Sequence, residues 1–171
     1  MREELEQIIE KAVKDDYLSE SLNYYKNNRT IDNYIDILKI LNYRKFYLGI
    51  VVNFKNKKML KQFKKTGFIP LESENEYMEK EPLVAELSNG VYSENTICAF
   101  SDLTKIDFSN CPANGIEETT LKDLYEKYIK DKNIGGIIFN SFEEKFILPL
   151  PYIEYVINGN YDEIINRLQK N

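Results

Sequence analysis

The run FYLGIVVNF at residues 46–54 restricts the fold more than any other part of the sequence. It is rich in aromatic and β-branched side chains, which favour strands, and it is too short for a helix that crosses a membrane. A short segment that is apolar on both faces is typical of a strand buried inside a sheet. We therefore predict a buried central strand here, and the rest of the chain must supply its neighbouring strands and a covering layer.

Helical patterns fill the chain before this strand. Apolar side chains recur at helical spacing in residues 2–14, which predicts a first helix. Ser19 and Ser21 are candidate caps for a second, short helix, and Thr30 is a candidate cap for a third. We therefore predict a single domain over residues 1–171, in which residues 1–42 form a helical extension.

Strand and helix patterns follow each other irregularly after residue 54. A lysine-rich helix is predicted over 55–67, followed by an acidic loop or helical turn over 72–81 and by antiparallel strands at 82–87 and 95–100. A turn capped by Asp102, a loop over 110–115 and a helix over 119–131, capped by Thr119 or Thr120, come next. Strands then begin at Gly135 and Lys145, and helices at 151–158 and 161–168 close the chain. About five strands without strict helix alternation indicate an α+β fold. We predict a mixed, largely antiparallel sheet of about five strands packed with helices and preceded by an N-terminal helical segment.

The composition argues against enzymes that use a histidine base or a metal ion held by histidine. The 171 residues contain no histidine, which is the commonest general base near neutral pH and the commonest metal ligand. Cys98 and Cys111 are the only cysteines, and two thiols suit a reducing compartment. No apolar run could span a membrane, and the charged N-terminus lacks the apolar centre of a secretory signal. We predict a cytoplasmic protein that is not an enzyme, has no cofactor or bound metal, and does not contact a membrane.

The second half of the chain carries motifs that resemble a known family. The strand end Ala99–Phe100–Ser101–Asp102 precedes a helix, and residues 136–149, with the sequence GIIFNSFEEKFILP, lead into a final helix. Both are similar to motifs in the N-terminal domain of the SseB family of bacterial proteins, and the likeness extends over residues 46–157. Ser141 stands where that family has proline, and the acidic stretch and the first helices are additions. The resemblance implies that residues 43–171 form a compact α/β module without an established catalytic site.

Acidic and strand-end residues supply the candidate interaction surface. Its members are Glu72, Glu74, Glu76, Tyr77, Glu79, Glu81, Ser101, Asp102, Asn140 and Ser141. The glutamates do not follow the spacing of a calcium loop, whereas an acidic surface can steer a basic protein into contact. Loops at strand ends often carry function, although turn chemistry and a helix cap are the favoured explanation of the last four residues.

Other charged groups point to fewer functions. The lysines of residues 55–65 could face phosphates, but the net charge of −5 and the absence of arginine among them favour a solvated helix over nucleic-acid binding. Glu117 and Glu118 are adjacent in sequence, so on a helix they would point in different directions, which makes them poor candidates for an acid/base pair. Tyrosines such as Tyr24, Tyr43 and Tyr47 are candidate interface anchors.

Together these patterns favour a non-enzymatic protein-binding or regulatory module that contacts a protein partner through its acidic, tyrosine-bearing surface. A toxin-neutralising immunity protein is a specific alternative within that class, because such proteins are small and acidic. An enzyme that uses carboxylate or tyrosine chemistry is the competing class. A homodimer also remains open, because one sequence does not distinguish a core stripe from an interface stripe.

Overall fold

The computed structural model describes residues 17–66, 78–88, 93–106, 109 and 112–170. The helices are α1 (Tyr17–Asn27), α2 (Ile31–Tyr43), α3 (Lys57–Thr66), α4 (Leu121–Leu124, continued by a π-helical turn at Tyr125–Ile129), α5 (Leu150–Ile157) and α6 (Tyr161–Lys170). The strands are β1 (Phe46–Phe54), β2 (Met78–Pro82), β3 (Val84–Ser88), β4 (Ser93–Phe100), β5 (Gly115–Thr119), β6 (Gly136–Phe139) and β7 (Phe146–Pro149), and a 3₁₀ turn covers Leu103–Lys105. The chain is therefore α+β, as the sequence predicts, and the helix predicted over 2–14 lies outside the described residues.

The seven described strands form one mixed sheet in which β1 and β4 are central. β4 pairs in parallel with β6, and the other pairings are antiparallel. β1 pairs with β4 only at Tyr47 and Leu48, after which the two strands separate. The segment formed by β2 and β3 enters between them, so that Leu83 donates its backbone N–H to Gly49 and accepts one from Cys98. β5 lies along the opposite edge of β1.

The main hydrophobic core lies on one face of the sheet, here called the inner face. Side chains of α1, α2, α4, α5 and α6 pack there against the strands; they include Leu18, Leu38, Leu124, Ile153 and Ile164. The first two helices therefore share one core with β1, β6 and β7. Alternation along each strand explains this division, because Phe46, Leu48 and Ile50 face the helices while Tyr47 points to the other face.

The opposite face, here called the outer face, carries a much smaller core. Its buried members are Cys98, Phe100 and Ile138 on the strands and Ile106 after the 3₁₀ turn. Among the described residues, no helix contributes a side chain to this cluster. The sheet is thus covered by helices on one side only within the described part of the chain.

Several local predictions are confirmed because short-range chemistry determines them. β1 has the predicted bounds, and the side chain of Thr30 accepts a hydrogen bond from the backbone N–H of Asn33 at the start of α2. Asp102 caps the 3₁₀ turn by accepting from the N–H of Thr104, and Thr120 caps α4. Gly159 follows α5 with a φ of 71°, which glycine adopts without strain.

Other predictions are wrong where the surrounding fold overrides local preference. The end of the predicted acidic loop is strand β2, because β1 offers a ladder to Met78–Pro82, and Glu79 and Glu81 point to solvent. Glu117 and Glu118 lie on β5 and not on a helix, although they still point to opposite faces. The prediction of about five strands is roughly consistent with the seven described strands, and β2 and β5 are the two additional ones. Ser19 and Ser21 lie inside α1 and do not cap it.

Gly136 offers a test of how tightly β6 and β7 approach each other. A Cβ atom on Gly136 would lie 2.6 Å from the carbonyl oxygen of Leu148 and 3.2 Å from the Cα of Pro149. Both are backbone atoms of β7, so they can move only if the strands separate. We expect Gly136→Ala to lower the free energy of unfolding by about 1–3 kcal/mol, as overpacking does, in urea denaturation followed by circular dichroism.

The neighbouring Gly135 provides the matched control. The three atoms nearest to a Cβ there all belong to the side chain of Glu94, at 1.7–1.8 Å. A glutamate side chain can rotate out of the way, whereas a strand backbone cannot, so Gly135→Ala should cost less than Gly136→Ala. Equal losses for the two variants would contradict this account of the strand contact.

Candidate functional site

The parallel strands β4 and β6 end side by side, and polar side chains meet at this edge. Ser101 and Asp102 follow β4, and Asn140 follows β6. The backbone N–H of Asn140 donates to the carbonyl of Ala99 at 2.9 Å. The two strand ends are therefore adjacent, which brings Ser101 and Asn140 together.

Asn140 and Ser101 form a reciprocal hydrogen-bonded pair. Asn140 Oδ1 accepts the backbone N–H of Ser101 at 2.9 Å, and Asn140 Nδ2 donates to Ser101 Oγ at 2.9 Å. The φ of Asn140 is 49°, in the left-handed region that asparagine tolerates better than most residues. The amide group thus replaces a strand partner where the ladder between β4 and β6 ends.

Ser19 connects this pair to helix α1. Ser19 Oγ hydrogen bonds to Ser101 Oγ and donates to Asp102 Oδ2 at 2.5 Å. Because a hydroxyl carries one proton, Ser101 is the donor to Ser19 when Ser19 donates to Asp102. The chain of donors therefore runs from Asn140 through Ser101 and Ser19 to the Asp102 carboxylate. Sequence reasoning assigned Ser19 to a cap, and only its position beside the leucines of α1 hinted at burial.

Asp102 is held as a carboxylate by its surroundings. Burial would raise its pKa, but hydrogen bonds from Ser19 and Thr104, together with the nearby Lys105 ammonium, hold the pKa below its usual value. Lys105 also contacts Glu143 and lies 3.2 Å from Glu144 Oε1. The hydrogen bond to Glu143 raises the pKa of Lys105 above its usual value. One ammonium therefore lies among three carboxylates, and Glu144 Oε2 is buried without a hydrogen-bond partner among the described residues.

The burial of Ser101 and Asn140 limits the chemistry that this strand-end cluster can perform. Ser101 is 2% exposed and Asn140 is 1% exposed, so neither can contact a partner on the surface, as their place in the predicted interaction surface requires. Ser141 is half-buried and Asp102 caps the 3₁₀ turn. The arrangement joins α1 to two strand ends, which corresponds to turn and capping chemistry and not to a reactive site. Within the described residues, no group of three or more acidic or cysteine side chains is placed to hold a metal ion.

The acidic half of the predicted surface lies in a different part of the molecule. Glu72, Glu74, Glu76 and Tyr77 fall outside the described residues, whereas Glu79 and Glu81 are exposed on β2. They lie opposite Asn53 and Val51 of β1, on the outer face of the sheet. The structure therefore separates the predicted surface into a buried strand-end cluster and an exposed sheet face.

Three neighbouring strands, β5, β1 and β2, combine these glutamates with apolar side chains on the outer face. We call this surface the outer patch, and it consists of Tyr47, Val51, Glu79, Glu81, Ile116 and Glu118. Ile116 lies opposite Gly49 and is 44% exposed, and Tyr47 and Val51 are half-buried. Glu118 pairs with Lys45 at 3.2 Å and Glu79 with Lys55 at 3.6 Å. Sequence reasoning missed Ile116 because the acidic β5 carries no strand pattern.

Of the helices in the described ranges, none has both the length and the apolar character needed to cross a membrane. Comparison of the chain with models of known protein families, with curated proteins and with solved structures found no match. The resemblance to the SseB family therefore stays a prediction.

Proposed function

We propose that the chain is a non-enzymatic protein-binding module and that its partner docks on the outer patch. The observation that carries this proposal is the exposure of apolar side chains on the outer face, where no described helix contributes a side chain to the hydrophobic cluster. Apolar groups that stay exposed beside a polar rim are characteristic of interaction sites. The SseB-like motifs suggest the same class of function.

The chemistry of the outer patch specifies the kind of partner. Ile116, Val51 and the ring of Tyr47 supply area that gains free energy when it leaves water, and tyrosine is enriched among residues that dominate binding energy. Glu79 and Glu118 already have lysine partners, whereas Glu81 has no ionic partner in the described part of the chain. A partner with an apolar anchor and a nearby arginine or lysine would complement this arrangement.

The strand-end cluster supports this class over an enzyme. An acid, base or nucleophile must reach its substrate, but Ser101 and Asn140 are buried and hydrogen-bonded within the protein. An immunity protein would use the outer patch in the same way and differs only in the identity of its partner. Finding a toxin on the patch would select that alternative.

Site-specific photo-crosslinking in the cells that make the protein tests the proposal. Benzoylphenylalanine at position 116 should give one dominant protein adduct, because that side chain lies in the centre of the outer patch. The same group at position 24 is the control, since Tyr24 is exposed on α1, on the other side of the sheet. Glu81→Lys should reduce the adduct at position 116 by about tenfold, because it reverses the charge offered to a basic partner.

The adducts at positions 116 and 24 decide whether a partner docks on the outer patch. One adduct that is specific to position 116 and sensitive to Glu81→Lys supports the proposal. Identical adducts at positions 116 and 24, or no adduct at position 116, would overturn it.

A further inference from the structure

A groove on the inner face lies beyond the part of the sheet that the helical layer covers. It has a volume of about 410 Å³, and its apolar lining comes from Ile50, Val52 and Phe54 of β1, Met78 of β2 and Leu60 of α3. Asn114 and the first residues of β5 form the opposite wall. The groove therefore lies between α3 and the edge strand β5.

The backbone on the β5 side keeps the groove open. Gly115 has no side chain, and a Cβ atom placed there would lie 3.1 Å from Cγ2 of Val52. Next to it, the Asn114 side chain bonds both backbone groups of Val52, at 2.7 and 3.0 Å, and so ends the pairing between β1 and β5. Apolar side chains beyond this point have no described strand on that side.

The charge around the groove is positive. Lys57, Lys58, Lys61, Lys64 and Lys65 are exposed on α3, and within the described residues none of them forms an ion pair. Among the described residues that line the groove, Glu117 is the one acidic side chain. Its carboxylate is already bound by Lys127 at 2.8 Å and by the hydroxyl of Tyr128 at 3.1 Å. Lys64 thus lines the apolar floor, and the other four lysines lie on the same helix without an ion pair to any described residue.

We propose that this groove binds an acidic amphipathic helix of a partner protein. Such a helix would place its apolar stripe on the floor, where the described helices of the inner face leave the strands open, and its carboxylates beside Lys61 and Lys64. A nucleic acid fits less well, because it would meet aliphatic side chains and lysines without the aromatic platforms and arginines that stack bases. The groove opens on the opposite face from Glu79 and Glu81, but Ile116 borders both surfaces, so the charge variants Glu81→Lys and Lys64→Glu separate the two proposals.

Synthetic peptides test this assignment directly. The probe is a labelled helix of about 18 residues with leucines on one face and glutamates on the other, titrated with the full chain and followed by fluorescence anisotropy. A second peptide has every glutamate replaced by lysine. We expect the glutamate peptide to bind, the lysine peptide not to bind, and the affinity of the first to fall as the ionic strength rises, because salt screens exposed charges.

Three variants locate the binding. Lys64→Glu should weaken binding of the glutamate peptide by about tenfold, whereas Lys26→Glu should not. The two changes alter the net charge equally, but Lys26 is exposed on α1, away from the groove. Gly115→Leu should abolish binding by filling the groove, provided that its circular dichroism matches the unmodified chain, and Lys64→Glu decides the case if it does not.

Three results would contradict binding of an acidic helix in the groove. No binding of the glutamate peptide, equal effects of Lys64→Glu and Lys26→Glu, or binding of a single-stranded oligonucleotide in place of the peptide would overturn the proposal. Because Ile116 borders both surfaces, the effect of Glu81→Lys on the adduct at position 116 reports on the outer patch, and the effect of Lys64→Glu on peptide binding reports on the groove.

Discussion

Phe139→Ala is expected to lower the free energy of unfolding by about 3–5 kcal/mol, which is the usual loss when a buried phenylalanine is truncated. Phe139 is 0% exposed. Its ring lies edge-on to Phe46, with 5.0 Å between centroids, and 6.3 Å from the ring of Phe146. It therefore connects β1, β6 and β7 within the hydrophobic core of the inner face. Truncation to alanine would leave a cavity that the neighbouring side chains cannot fill unless the strands move.

A loss of this size approaches the whole stability of an ordinary domain. Because the chain lacks tryptophan, urea unfolding is best followed by far-ultraviolet circular dichroism. Phe142→Ala is the matched control: Phe142 is 54% exposed in the turn after β6, and its truncation should change stability by less than about 0.5 kcal/mol. Similar losses for the two variants would show that the inner core is not organised around Phe139.

Asn140→Ala is the second change with a large expected effect, a loss of about 2–5 kcal/mol in the free energy of unfolding. Removing the amide leaves the buried N–H of Ser101 without its acceptor, which costs about 1–3 kcal/mol. Alanine must also adopt the φ of 49° that Asn140 has, which costs about 1–2 kcal/mol. The same urea denaturation measures the sum.

Asn140→Gly separates the two contributions. Glycine accepts a positive φ without strain but also lacks the amide, so this variant should be about 1 kcal/mol more stable than Asn140→Ala and still less stable than the unmodified chain. If the glycine variant is as stable as the unmodified chain, the hydrogen bonds to Ser101 contribute nothing to stability. If the alanine and glycine variants are equal, the backbone conformation is not strained.

The elements that could be predicted have local causes. The β-branched and aromatic run of β1 produces a strand in any α+β context, and Thr30, Asp102 and Thr120 cap the turns that follow them because their side-chain oxygens reach a backbone N–H three residues or fewer away. All of these depend on neighbours along the chain.

The elements that could not be predicted depend on distant partners. The sequences MEKEP and GIEET contain too few apolar residues to indicate strands, and they are strands because β1 offers a hydrogen-bonding edge on each side. Ser19 resembles any helix-capping serine until α1 packs over the strand ends and buries it beside Ser101. The candidate site changed for the same reason, since burial removed Ser101 and Asn140 from the accessible surface and pairing brought Ile116 beside Tyr47.

The amino-acid sequence by itself determined the class of fold, the position of β1, most helix starts and the absence of imidazole chemistry, because periodicity, capping and composition act over a few residues. Only the tertiary structure decided the order of the strands, the face of the sheet that the helices cover, and the groove beside the lysines of α3. Those features arise from contacts between segments far apart in the chain, and such contacts leave no signal at the spacing of a single helix or strand.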